Sequence, residues 1–162
     1  MKLILHDLDS RYDELIASRC NFAVAADGKY APCQGCFGCW TKHPAECFMK
    51  DKLQQICRLI GQADEVEIVT KNLYGGYSAQ IKNALDRSIG TSTPFSTYRG
   101  KQMHHTLRYG KRDLWKVVVY GDITAEEKET FRYLAQRNAV NEGCERSEVV
   151  FIDHLSELEE RL

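Results

Sequence analysis

With 162 residues, the chain has the length of one domain built around one core. Its 22 lysines and arginines nearly balance 23 aspartates and glutamates, so no strong net field directs it to nucleic acid or to an anionic membrane surface. No apolar run reaches bilayer-spanning length, and the stretch from Met1 to Asp7 enters a strand pattern without the apolar core and small-residue cleavage site of an export signal, which predicts a cytoplasmic protein.

Lys2 to His6 reads as a buried strand around Leu3, Ile4 and Leu5. A short helix is predicted from Ser10 to Ala17, with Ser10 as N-cap and Asp13 and Glu14 in the first turn. Cys20 to Ala25 reads as a second strand, Asp27-Gly28 as a turn, and Pro32 to Met49 as a cysteine-bearing loop. Asp51 to Ile60 has the helical period, with Leu53, Ile56, Cys57 and Ile60 on one face and Gly61 at its end. A third strand spans Glu65 to Thr70, followed by a tight loop at Tyr74-Gly75-Gly76-Tyr77. Ser78 then caps a helix that buries Ile81, Ala84 and Leu85.

Gly90 to Lys111 has no clear period and is too long for an ordinary connection, so a functional excursion or an interface arm is expected there. Leu114 to Tyr120 is the strongest strand pattern. Thr124, with Glu127 at the capping-box position, opens a helix running to about Asn141 and ending at Gly143. Val149 to Ile152 is the fifth strand, and Leu155 to Leu162 a short tail helix. Strands and helices alternate and the later strands are apolar runs, which predicts one domain, residues 1–162, with a five-stranded parallel sheet in the order 2-1-3-4-5. Ligands of such sheets bind at the C-terminal strand ends.

Three places could carry chemistry. The loop Asn72-Leu73-Tyr74-Gly75-Gly76-Tyr77 stands at a strand's C-terminal end, where two glycines let backbone N–H groups approach a flat ligand that Tyr74 and Tyr77 flank; a plain turn is the other reading. Cys33, Cys36, Cys39 and Cys47 have the spacing C-x2-C-x2-C-x7-C. That pattern suits iron–sulfur ligands, a zinc site, or thiols that pack or do redox chemistry without metal. Of seven cysteines, the other three, Cys20, Cys57 and Cys144, read as core residues, and a reducing cytosol argues against a disulfide framework. His104-His105 with Arg108, Tyr109 and Arg112 could form a basic aromatic lid, a solvated loop or a subunit contact; adjacent strand histidines face opposite ways, which argues against a shared metal.

From Pro32 onward the chain resembles the flavodoxin-like NADPH-dependent FMN reductases and their iron–sulfur flavoprotein relatives. The motifs are the run from Pro32 to Trp40 with Cys47, Tyr74 to Ser78, Ile81 to Ser88, Met103 to His105, Arg108-Tyr109 and Gly121 to Thr124. The resemblance implies a flavodoxin-like three-layer sandwich and an FMN site. The ring would lie on Asn72, Leu73, Tyr74, Gly75, Gly76 and Tyr77, bordered by Cys33. In some relatives a similar cysteine run carries a 4Fe–4S cluster, which here would fall to Cys33, Cys36, Cys39 and Cys47. It further implies NAD(P)H as co-substrate, a flavin, quinone or other small acceptor, and a homodimer or tetramer whose 90–111 excursion crosses to the partner. The readings are an FMN-dependent oxidoreductase, an electron carrier, or a non-catalytic module that has lost FMN.

The first 30 residues depart from that family's pattern. FMN-binding relatives place a Gly/Ser/Asn/Thr-rich loop after the first strand, at a helix N-terminus. Here the loop reads His6-Asp7-Leu8-Asp9-Ser10-Arg11, and two carboxylates oppose a phosphate dianion. Ser10, Arg11 or Arg87 holds the phosphate instead, or FMN binds weakly, or it is lost.

Overall fold

A computed structural model describes all 162 residues. In chain order the elements are β1 (Lys2–His6), α1 (Asp13–Ser18), β2 (Phe22–Ala25), α2 (Ile56–Gln62), β3 (Glu65–Lys71), α3 (Ala79–Asp86), β4 (Ser92–Arg99), β5 (Gln102–Leu107), β6 (Arg112–Tyr120), α4 (Ala125–Glu142), β7 (Cys144–Ile152) and α5 (Leu158–Arg161). Five strands make one wholly parallel sheet in the order β2-β1-β3-β6-β7. Set aside the inserted pair β4 and β5, and this is the expected order 2-1-3-4-5. Helices cover both faces, so the fold is the flavodoxin-like three-layer sandwich.

Strand alternation divides the core in two. Leu3, Leu5, Val66, Ile68, Val117 and Val119 face α2, α3 and α4, meeting Ile56, Ile60, Ile81, Phe131 and Ala135. Ile4, Val69 and Val118 face the other way, under Ile16 of α1 and Leu158 of α5. The central strands are buried on both faces, which is why they read as unbroken apolar runs. Glu67 is the exception. It is buried in β3, on the smaller-core side, with Lys2 at 2.7 Å and Lys116 at 3.0 Å.

The local signals at both ends of α4 hold. Thr124 and Glu127 form the capping box of α4 (3.2 and 3.0 Å), and Gly143 ends that helix with φ 73°. Four readings are corrected. The first helix is a 3-10 turn over Ser10–Tyr12 followed by α1, and Asp9 rather than Ser10 is the cap, accepting the Arg11 N–H. α2 starts at Ile56 instead of Asp51, because the Asp51 carboxylate accepts the Leu53 N–H (3.0 Å) and the distant Ala31 N–H (3.1 Å) and pairs with Arg87. β7 starts at Cys144 instead of Val149, since it pairs with β6 from Arg112 onward. The excursion, read as aperiodic, holds an antiparallel hairpin of β4 and β5 with Tyr98 opposite Met103. No helix is long and apolar enough to cross a membrane.

Candidate functional site

Two loops leave the C-terminal ends of β1 and β3, the adjacent strands from which the chain departs in opposite directions along the sheet. This switch point is where open α/β sheets bind ligands.

The loop after β3 is held by Asn72. Its N–H donates to Tyr120 O (2.8 Å) and its amide Nδ2 to Asp122 O (2.8 Å) and Glu127 Oε2 (3.2 Å), while its Oδ1 accepts the Gly75 N–H (3.0 Å). Leu73 and Gly76 exchange N–H···O bonds of 3.0 Å each. Tyr74 and Gly75 both lie in the left-handed region, at φ 52° and 77°. A side chain on Gly75 would also come within 3.2 Å of Glu127 and Thr130 of α4. The loop's own bonds leave the Tyr74 and Tyr77 N–H groups free.

The two tyrosines do not flank one space. Tyr74 is 87 % exposed, whereas Tyr77 is buried. The Tyr77 hydroxyl accepts from Trp115 Nε1 (3.3 Å) and Asn138 Nδ2 (3.1 Å), its ring meets Phe131 edge-on, and burial pushes its phenol pKa up. A cavity of about 360 Å³ between α3 and α4 lies behind it. Tyr77 can therefore serve a ligand at the strand ends only through its backbone.

The loop after β1 is closed on itself. Asp7 accepts from Lys71 N–H (3.0 Å) and Tyr120 O–H (3.0 Å), and Thr70 Oγ lies 3.3 Å away. Burial, then Asp7, pushes the Tyr120 phenol pKa up. Asp9 accepts from Arg11 N–H (3.0 Å), Nε (2.9 Å) and Nη2 (2.6 Å), and that hydrogen bonding brings its carboxyl pKa down to about 2. Ser10 and Arg11 are both exposed beside it.

Arg87 is not brought to this loop. It is fully buried beneath the cysteines, donating to Ala31 O (3.1 Å) and pairing with Asp51, and its Nε and Nη2 have no partner. Cys33, Cys36, Cys39 and Cys47 line one apolar cavity of about 90 Å³ together with Arg87 and Ile89. No three His, Cys, Asp or Glu side chains converge as a single metal ion requires, so the zinc reading finds no support in the geometry. Behind the cavity the Cys57 thiol donates to Arg87 O (3.2 Å). The neighbouring Cys57 holds the Cys39 thiol below the usual range, while that pairing and burial push Cys57 up. Gly90 packs between them; a Cβ there would lie 2.9 Å from Cys57 Sγ and 3.0 Å from Cys39 Cβ.

The hairpin's histidines diverge as strand alternation predicts. His104 is buried with Nδ1 3.0 Å from Asn141 Oδ1, and the His105 ring lies tilted against Trp40 of the cysteine loop, centroids 4.7 Å apart. Arg108 Nε donates to Gly90 O (3.1 Å), and Arg112 lies in the buried pair with Glu142 (3.2 Å) instead of in a lid. Sequence reasoning missed Asp51, Thr70 and Tyr120. Nothing in their local spacing separates them from ordinary helix-start and strand residues.

Residues 19–106 match the sequence model of a family described as NADPH-dependent FMN reductase. That segment holds the cysteine loop, the Asn72–Tyr77 loop and the hairpin except the last residue of β5, and begins past the loop after β1. The chain is 35 % identical over 81 residues to an iron-sulfur flavoprotein of Archaeoglobus fulgidus, covering 49 % of this chain and 40 % of that one. It is 34 % identical over 67 residues to one of Methanocaldococcus jannaschii, covering 41 % and 34 %. The matches thus span about two fifths or less of these relatives' length. Among solved structures, an NAD(P)H:quinone oxidoreductase from Methanothermobacter marburgensis superposes with TM-score 0.61 at 13 % identity, covering 95 % of this chain and 86 % of that one. An FMN-dependent NADH-azoreductase from Bacillus anthracis in complex with FMN gives 0.58 at 14 %, covering 98 % and 92 %. These two share the fold.

Proposed function

The chain belongs to the NADPH-dependent FMN reductase family, and on that premise we propose that it is a flavin-dependent oxidoreductase passing electrons from NAD(P)H to a small acceptor such as a flavin or quinone. The carrying observation is the loop after β3, rigid and open at once, with two unpartnered N–H groups beside an exposed tyrosine. A bound flavin would supply the hydride chemistry. The chain's own part would be orientation: the Tyr74 and Tyr77 N–H groups would donate to the ring's edge and Tyr74 would cover a face, while Gly75 makes the left-handed turn that packs the loop against α4. Cys33 borders the same side in this reading.

The residues fit the ring better than the phosphate. The donors at the β3 and β6 tips already hold Asp7, and Arg11 is paired with Asp9. Ser10, exposed beside that pair, is the remaining candidate for phosphate contact. The reading places the protein in the cytoplasm as a homodimer formed through the hairpin, where Phe95, Tyr98 and Met103 are exposed. A monomer by light scattering at high concentration would remove that dimer.

The test is titration of the purified protein with flavin, followed by fluorescence quenching, and then NAD(P)H oxidation with a quinone acceptor. Quenching and flavin-dependent turnover are expected. Quenching without turnover would favour an electron carrier, and no quenching a non-catalytic module.

A second reading rests on the donor set: a 4Fe–4S cluster on Cys33, Cys36, Cys39 and Cys47, which line one cavity without converging as metal ligands. The donor set suits it, and the unpartnered Arg87 Nε and Nη2 suit the anionic charge of such a group. Aerobically purified protein is expected to lack the cluster. Stoichiometric iron and acid-labile sulfide after anaerobic purification would favour the carrier.

A further inference from the structure

At the switch point between β1 and β3, the Lys71 N–H and the Tyr120 O–H converge on one carboxylate, each at 3.0 Å. Thr70 Oγ stands by at 3.3 Å, sharing its proton with its neighbour's carbonyl at 3.1 Å. Donors gathered from two strands around one point make an anion site. Asp7, the first residue after β1, fills that site from within the chain.

Two nearby cations are already paired. Arg11 is held by Asp9, and Lys52 by Asp27 at 2.7 Å. α1 has six residues and carries Asp13 and Glu14 in its first turn, the wrong sign for an anion at a helix start. The Lys71 ammonium has its stem over Gly121, just past the end of β6. A phosphate brought to the strand ends therefore meets Asp7 where the best donors lie.

We infer that Asp7 is an internal anion in the place a flavin phosphate would use, so that this site takes an isoalloxazine whose side chain carries no phosphate, of the riboflavin class, in preference to FMN. The inference rests on the flavin reading above and names the ligand class for that same site. Asp7 acts here as a specificity residue. It leaves the ring contacts of the Asn72–Tyr77 loop untouched and repels only the charged tail.

The experiment compares riboflavin and FMN by fluorescence quenching in wild-type protein and in Asp7→Asn, at low and at high salt. Asparagine keeps an acceptor for the Lys71 N–H while removing the charge. Wild type should bind riboflavin about tenfold more tightly than FMN at low salt, a gap that narrows as salt screens it. In Asp7→Asn the gap should close to within about threefold, through tighter FMN binding at unchanged riboflavin affinity. FMN binding as tightly as riboflavin or more tightly in wild type would overturn the inference while leaving the flavin reading standing. So would a variant that weakens both flavins alike, which would make Asp7 structural only. If neither flavin quenches, the flavin reading falls and this one with it. Should Asp7→Asn fail to fold by circular dichroism, the wild-type ratio and its salt dependence decide the question alone.

Discussion

The loops after β1 and β3 leave the same edge of the same sheet and differ in what they do with their polar groups. After β1, Asp7 and Asp9 are occupied by donors from within the chain. After β3, Asn72 satisfies its own loop and leaves Tyr74 exposed and the Tyr74 and Tyr77 N–H groups without partners. Convergent polar groups at a strand end are raw material for binding, and they bind whatever reaches them first. In one loop that is the protein itself; in the other the place is open to a ligand.

This contrast can be broken by removing the internal partner. The largest effect is expected under the cysteine loop, where Arg87 is fully buried and Asp51 is its carboxylate. Asp51→Ala leaves that guanidinium without its counter-ion, and urea denaturation should find a loss of about 3 to 5 kcal/mol. A loss under 1 kcal/mol would mean that water reaches Arg87. Next comes Asp7→Ala, which strips the acceptor from the Lys71 N–H and Tyr120 O–H. About 1 to 3 kcal/mol should be lost, read in the same assay.

A third effect is one of pH. His6 ends β1, is buried with Nδ1 unpartnered, and has its pKa lowered, chiefly by desolvation. The unfolded chain therefore takes up the proton first as pH falls. The contribution of neutral His6 is whole above the unfolded value of 6.5 and is lost as pH drops through the lower folded value. Melting temperatures should fall between pH 7.5 and 5.5, and His6→Gln should lessen that fall; an unchanged slope would assign the acid sensitivity elsewhere.

The smallest effect on stability sharpens the comparison most. Tyr74→Ala removes an exposed ring from the open loop, so stability should change by less than about 0.5 kcal/mol. Flavin binding should weaken by roughly 1 kcal/mol if the ring stacks there. Unchanged binding would separate Tyr74 from the flavin.

Much of the architecture was legible because its signals are local. Apolar runs at Glu65–Thr70 and Leu114–Tyr120, the Thr124–Glu127 cap and Gly143 each act within a turn or a strand. The hairpin escaped notice because most of β4, Ser-Thr-Pro-Phe-Ser-Thr-Tyr-Arg, is exposed, so no core imposes a period on it. Tyr74 and Tyr77 look alike in sequence. Left-handed turns at Tyr74 and Gly75 precede the inward swing of Tyr77, where Trp115 and Asn138 meet its hydroxyl.

The sequence by itself determined the layer order, the parallel sheet and the family-bearing loops, because burial periodicity and capping are written in neighbouring residues. It also held the charges that disfavour a phosphate, Asp7 and Asp9, side by side. Only the tertiary structure decided which of those carboxylates matters. Asp9 closes on Arg11 two residues away, whereas Asp7 reaches Lys71 and Tyr120, 64 and 113 positions on. Such contacts exist only once the strands have paired, and pairing across the sheet leaves no mark in the spacing of the residues it joins.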